Sequence, residues 1–229
     1  MGSFKLDNIE KMSFCNIKKL ELVRNGDKGA SSRVYKLNYT ECIKLFNQYK
    51  DEFELKRYHD YTKMNFDCAV LPKTIGLINN KFRALKMDFV NGVMLSELSQ
   101  YMDYSKYVVL AKTLIDSSKE ISEEGIVVYD SHSYNIMYNY DKDKFVLIDQ
   151  GEWSNNKINS ERVRIKNFHI LNNTLRSTLF DNNFSIGNLK ESLDIDGDFI
   201  DYYETERELT EKKTGKKIMT IGEFRRAIR

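Results

Sequence analysis

Ile126-Val127-Val128-Tyr129-Asp130-Ser131-His132-Ser133-Tyr134-Asn135-Ile136-Met137-Tyr138, followed after a short turn by Phe145-Val146-Leu147-Ile148-Asp149-Gln150-Gly151, is the stretch of this chain that decides how the rest is read. Three apolar runs are separated by polar breaks at Asp130 to Asn135 and at Asp141-Lys142-Asp143, which predicts a strand, a loop and a hairpin. Asp130 and Asn135 are five residues apart, a spacing at which one loop can offer a carboxylate to a reacting hydroxyl and an amide oxygen to a metal. Asp149 ends the third run, so two strand ends can bring three oxygen-bearing side chains together. Hard Mg²⁺ prefers such donors. With 17 Asp and 20 Asn in the chain the spacing also arises by chance, and Asp60/Asn65 repeats it inside a predicted helix. The strand-like run before Asp130 separates the two pairs. Taken singly, Asp130 and Asp149-Gln150-Gly151 also fit ordinary turns at strand ends.

Upstream, the chain reads as short strands with one helix among them. Ile17 to Val23 and Arg33 to Leu37 form a hairpin around Asn25 to Gly29, and Cys42-Ile43-Lys44-Leu45-Phe46 is a strand. Gln48 to about Met64, with Phe53, Tyr58 and Tyr61 near helical spacing, predicts an amphipathic helix. Thr74 to Ile78 and Phe82 to Phe89 are two further strands, joined by Asn79-Asn80. After Val90-Asn91-Gly92 the period changes. Leu95 to Glu123 predicts a helix with Val108, Leu110, Leu114 and Ile115 buried and Gly125 at its end. From about Asn159 the pattern is helical, with Val163, Ile165, Phe168, Leu171, Leu175 and Leu179 as the packing face. Strands first and helices second, with one inserted hairpin, is the pattern of an α+β chain in two lobes, residues 1–90 and 91–229, joined near Asp88 to Gly92.

Lys44 is the second chemical clue, because a lysine inside an apolar strand is costly unless its ammonium reaches an anion or water. It can snorkel, or it can meet phosphates. Gly29, Ser31 and Ser32 in the preceding hairpin suit backbone N–H groups approaching phosphate oxygens, and Glu54 on the following helix is placed to hold the lysine by an ion pair. Glu52 lies on the other face.

Composition narrows the classes. The chain has 229 residues with 36 Lys+Arg against 34 Asp+Glu, a net charge of +2, which excludes a strongly basic nucleic-acid-coating protein, and no nucleic-acid partner is predicted. Cys15, Cys42 and Cys68 have no metal-ligand spacing and are an odd number, so neither a zinc site nor a disulfide framework is expected. No apolar stretch approaches a membrane span, the N-terminus has no signal-peptide core, and Leu6 stands where a myristoylation signal wants Ser or Thr. A cytoplasmic setting is expected.

The order is thus glycine loop, strand lysine, helix glutamate, apolar strand into a linker, loop Asp-x-x-x-x-Asn, strand-terminal Asp-x-Gly. In this order and spacing the chain resembles the protein-kinase-like superfamily from about Ile17 to Trp153, as a small, divergent member of bacterial or phage type. The resemblance implies a two-lobed protein-kinase-like fold with a strand-rich N-lobe and a reduced helical C-lobe. It also implies transfer of the γ-phosphoryl group of ATP, with Mg²⁺, to a hydroxyl acceptor of protein Ser or Thr. In these terms Lys44 positions the α and β phosphates with Glu54 as its partner, and Gly29, Ser31 and Ser32 form the phosphate loop. Met87, Asp88 and Val90, around Phe89, resemble the adenine-binding hinge. Asp130 resembles the base that meets the acceptor hydroxyl, and Asn135 and Asp149 the metal ligands.

The departures bear on the acceptor. Tyr129 replaces the arginine that pairs with a phosphorylated activation loop in many members, Gln150 replaces a phenylalanine and Val128 a histidine. Asp27 and Ser32 stand where two further loop glycines are usual. No Ala-Pro-Glu follows Trp153, since Pro72 is the only proline, so the peptide-docking half is shortened or rebuilt. His132 lies where small-molecule kinases resembling aminoglycoside or choline phosphotransferases often carry histidine, which keeps a small-molecule acceptor as the alternative. A nucleotide-binding pseudokinase acting as an interaction module is the other. Trp153 either caps the site or fills core. Lys212 to Lys217 with Arg225-Arg226 form a basic end, either solvated surface or a meeting place for an acidic partner or phosphate-rich substrate.

Overall fold

The computed structural model describes residues 7–24, 31–98, 100–155, 159–180 and 197–229. The chain is mixed α and β and divides into two compact units, Met1–Val90 and Asn91–Arg229. Among the described residues no helix is long and apolar enough to cross a membrane.

The first unit contains β1 (Ile9–Lys11), α1 (Phe14–Ile17), β2 (Glu21–Arg24), β3 (Ser32–Lys36), β4 (Glu41–Phe46), α2 (Glu52–Tyr61), β5 (Pro72–Ile78) and β6 (Lys81–Asp88). The strands form one sheet in the order β1-β5-β6-β4-β3-β2, antiparallel except where β1 runs parallel to β5. Because side chains alternate along β4, Ile43 and Leu45 enter a core with Ile17, Tyr35, Ile78 and Ala84, while Cys42, Lys44 and Phe46 take the opposite face. On that second face the rings of Phe46, Tyr58 and Phe82 pack with centroids 5.5–5.8 Å apart, fastening α2 to the sheet.

Several boundaries differ from the sequence pattern for local reasons. The helix expected from Gln48 begins at Glu52, because the Asp51 side chain accepts the Glu54 N–H at 2.8 Å as an N-cap. The Lys50 N–H is already donated to Phe82 O. Phe53, five residues before Tyr58 and so about 140° round the helix, is 74% exposed. The strand expected over Ile17 to Val23 is split: Ser13 caps the single turn of α1, Ile17 drops into the core, and only Glu21–Arg24 pairs, as an edge strand with Leu22 and Val23 exposed. Asn79 and Asn80 both take left-handed φ (53° and 60°), the backbone a two-residue hairpin turn requires.

The second unit contains β7 (Gly92–Met94), a 3-10 turn (Leu95–Glu97), α3 (Tyr104–Glu123), β8 (Ile126–Val127), β9 (Ile136–Asn139), β10 (Lys144–Leu147) and β11 (Ser154–Asn155), followed by α4 (Ser160–Phe180), α5 (Phe199–Thr214) and α6 (Ile221–Ala227). β10, β9 and β7 form one small sheet, and β8 pairs with β11. α3 starts at Tyr104 rather than Leu95, since Asp103 caps it through the Lys106 N–H at 2.8 Å. Three buried tyrosines join the helices. Tyr104 donates to Tyr203 O (2.8 Å), Tyr107 to Leu175 O (2.7 Å) and Tyr203 to Asn172 Oδ1 (2.9 Å). Burial raises all three phenols above their ordinary range, so they stay protonated as donors. On α4, Ile165 lies outside the packing face at 37% exposure, and Asn167 and Asn172 are buried instead.

Candidate functional site

α4 is the floor on which the Asp130 loop is built. Asn167, fully buried, accepts the Val128 N–H at 3.0 Å and donates to Ile126 O and Ser122 Oγ, both at 2.9 Å. Two turns further along, Thr174 Oγ1 donates to Ser131 O at 2.6 Å. Four further carbonyls of this stretch are engaged: Val128 O by Ser131 Oγ, Asp130 O by the His132 N–H, His132 O by the Asn135 N–H and Ser133 O by the Ser96 N–H. These bonds, several of them to other elements, restrain the loop.

The loop ends at the β9–β10 hairpin. Leu147 pairs with Ile136, and the ladder runs one step further as Ile148 donates to Asn135 O at 2.9 Å. Asn135 and Asp149 therefore leave the same end of the hairpin. Beyond the turn the chain returns as β11 beside β8, the strand that leads to Asp130. Asp130 and Asp149 both have left-handed φ, 61° and 63°, a backbone few non-glycine residues adopt and one found clustered at functional sites.

Asp130 Oδ1 lies 3.3 Å from His132 Nε2 and its Oδ2 3.4 Å from Asn135 Nδ2, with about half the carboxylate side chain exposed. Asn135 is buried and donates from Nδ2 to Asp130 O at 2.9 Å. That bond fixes the amide orientation and leaves Oδ1 as the free oxygen donor. Asp149 Oδ1 accepts the Gly151 N–H at 3.1 Å, a tight turn that sets the carboxylate at the hairpin end. Gln150 and Trp153, each 1% exposed, pack inward, so Trp153 fills core. Tyr129 meets Lys166 of α4, whose ammonium lies 4.3 Å from the ring centroid and bonds the phenol oxygen.

A carboxylate from Asp149 and an amide oxygen from Asn135 are the hard donors Mg²⁺ takes when one or two protein ligands share it with water and phosphate oxygens. Among the described residues no group of three or more His, Cys, Asp or Glu forms a metal cage of protein side chains alone.

In the first unit Lys44 sits on β4 between Val34 and Leu85, 6% exposed, with its ammonium 5.7 Å from the Phe46 ring centroid. Glu54 pairs with Lys50 at 2.9 Å and Arg57 at 3.5 Å. Ser31 is exposed and its carbonyl accepts the Asn47 N–H, while Ser32 opens β3 opposite Phe46. Gly29 and Asp27 lie outside the described residues. Met87 is buried at the end of β6 next to Asp88, which pairs with Lys73. Phe89 donates its N–H to Thr40 O, and Val90, half-buried, ends the unit. Asp60 and Asn65 are both exposed, one on α2 and one beyond it.

Asn167 and Thr174 were not singled out by the sequence pattern, although a signal for the first existed. Asn167 stands four residues after Val163 and four before Leu171, a polar residue on an otherwise apolar stripe. Compared with known proteins, the chain matches no protein-family model and no curated protein.

Proposed function

We propose that the chain is an ATP- and Mg²⁺-dependent phosphotransferase of two-lobed, protein-kinase-like architecture that moves the γ-phosphoryl group to a Ser or Thr hydroxyl of a protein. The observation that carries this reading is the convergence of Asp130, Asn135 and Asp149 at one end of the β9–β10 hairpin, on backbone that is pinned from below.

The half-exposed Asp130 carboxylate accepts the proton of the acceptor hydroxyl as its oxygen bonds to the γ-phosphorus and the bond to ADP breaks. Asn135 Oδ1 and Asp149 would hold Mg²⁺, which when bound neutralises charge on the phosphate oxygens. Lys44 is assigned to the α and β phosphates, Glu54 to positioning it, Ser31 and Ser32 with Gly29 to the phosphate loop, and Met87, Asp88 and Val90 to the adenine edge.

The test is incubation with γ-labelled ATP and Mg²⁺ over a panel of peptides, comparing the native chain with Asp130→Asn and Lys44→Ala. Label transfer that falls about 10²–10⁴-fold in Asp130→Asn supports the reading. Nucleotide binding without turnover in the native chain replaces it with a binding module, and absence of both refutes it. One contact favours a second reading: His132 Nε2 lies 3.3 Å from Asp130 Oδ1, beside the carboxylate assigned to the acceptor, and suits a small polyol or amino alcohol. Label appearing in aminoglycosides or choline and not in peptides selects it.

A further inference from the structure

The basic end of the chain is built into a cavity of the second unit. α5 stops at Thr214, Gly215 takes left-handed φ (68°), and the chain turns back through Lys216 to Thr220 into α6. The half-open pocket at this turn, about 570 Å³, is lined by Thr214, Lys216, Lys217, Ile218, Glu223, Arg226 and Ala227. Such a volume lies within the range of small-molecule sites.

Two acids of this turn, Glu211 and Glu223, are bonded to the backbone. Glu211 Oε1 accepts the Ile218 N–H at 2.7 Å, and Glu223 Oε2 accepts those of Met219 and Thr220 at 2.8 and 3.1 Å, which holds the Glu223 carboxyl below its ordinary range. The turn is thereby fixed from both helices. Lys212, Lys213, Lys216 and Lys217 form no ion pair among the described residues, and Arg226 acts on Glu223 only through space.

Two helix C-termini, of α5 and α6, end here. Their dipoles amount to roughly half a negative charge each, about one charge together, and the Glu211 and Glu223 carboxylates add two more against five cations. A surplus of about two positive charges remains at the turn. None of the described lining residues is aromatic, so they offer a nucleobase no ring to stack on. A single carboxylate would leave about half of that surplus unmatched, and phosphate groups match it.

We propose that this cavity binds a compact ligand carrying two or more phosphate groups, held by Lys216, Lys217 and Arg226, with Lys212 and Lys213 adding longer-range attraction. The site is independent of the phosphotransferase reading, which assigns a role to none of these residues.

The experiment is calorimetric titration of the full chain with tripolyphosphate at about 50 mM salt. Saturable binding is expected, weakened about tenfold or more in the Lys216→Gln/Lys217→Gln variant and several-fold at about 200 mM salt, with melting temperatures unchanged because these side chains are exposed. Tripolyphosphate also resembles a nucleotide tail, so Lys44→Ala/Asp149→Asn is titrated in parallel. Binding retained there and lost in the lysine variant supports the cavity; the opposite pattern overturns it. No saturable binding, or inorganic phosphate binding as tightly as tripolyphosphate, also overturns it. A comparison of inositol trisphosphate with vesicles containing phosphatidylinositol bisphosphate then tells a free ligand from a lipid headgroup, saturable binding of either supporting the site.

Discussion

Replacing Asn167 by leucine tests whether α4 holds the Asp130 loop. The substitution keeps the side-chain volume nearly constant and removes three hydrogen bonds at a position with 0% exposure. Ser122 Oγ still donates to Ser118 O, so two main-chain groups bear the loss, the Val128 N–H and the Ile126 carbonyl. Each buried group left unsatisfied costs about 1–3 kcal/mol. Leucine beside Val163 and Leu171 returns part of this through apolar burial, roughly 1–2 kcal/mol. The net expectation is a loss of about 1–4 kcal/mol, a sizeable share of the roughly 5–15 kcal/mol that keeps a domain folded. Urea unfolding measures the loss, and amide hydrogen exchange at Val128 locates it. Asn173→Ala, at the exposed neighbour, is the control and should be neutral within about 0.5 kcal/mol. A change below about 0.5 kcal/mol in Asn167→Leu with the Val128 amide still protected would refute the reasoning, because it would show that the strand is held without the asparagine.

Gly92→Ala should destabilise the second unit by about 2 kcal/mol or more in thermal melts, since a Cβ there would sit 1.9 Å from Tyr138 O, a backbone atom that cannot move aside. Gly215→Ala, with φ of 68° and open space around it, should cost only about 1 kcal/mol. In alkali, burial raises the Cys42 thiol from 9.0 and the Tyr61 phenol from 10.0, each to about 12. Their stabilising effect is complete below pH 9 and is lost as pH rises towards 12, because the unfolded chain ionises first. At pH 10 the thiol alone should account for about 1 kcal/mol, read as a drop in unfolding midpoint that Cys42→Ala reduces. If the assigned roles hold, Asp149→Asn should weaken Mg²⁺-dependent nucleotide binding more than Asp130→Asn does, and Asp60→Ala should leave turnover within a few-fold. Equal loss of binding in the first pair, or a large loss of turnover in the third variant, counts against the assignment.

The parts of the fold that were legible in the sequence are those written locally. β9 and β10 are separated by a four-residue turn, so their pairing follows from alternation and turn chemistry, and with it the placing of Asn135 and Asp149 at one end. β5 and β6 follow likewise from Asn79-Asn80. The elements that escaped notice are set by distant partners. β1 is three residues long and exists through its parallel pairing with β5, β7 through β9, and the two-residue β11 through β8, whose own apolar run was legible. Nothing within such short segments distinguishes strand from loop. Helix starts shifted because Asp51 and Asp103 outweigh the apolar spacing before them. At the candidate site the exposed chemistry was readable from side-chain type, while its support was not, since the bonds of Asn167 and Thr174 run to main-chain atoms about forty residues away.

Both anchors of the Asp130 loop sit on one uninterrupted helix, seven residues apart, which is nearly two full turns and about 10 Å of rise. Their common orientation therefore depends on the residue count between them. Inserting or deleting one amino acid between 167 and 174 would swing one anchor about 100° around the axis and release its end of the loop. An exchange of sequence that preserves the count would leave both in place. Length variation during divergence should accordingly be excluded from this interval and tolerated at the solvent-facing turn Asp141-Lys142-Asp143, which lies at the opposite end of the hairpin.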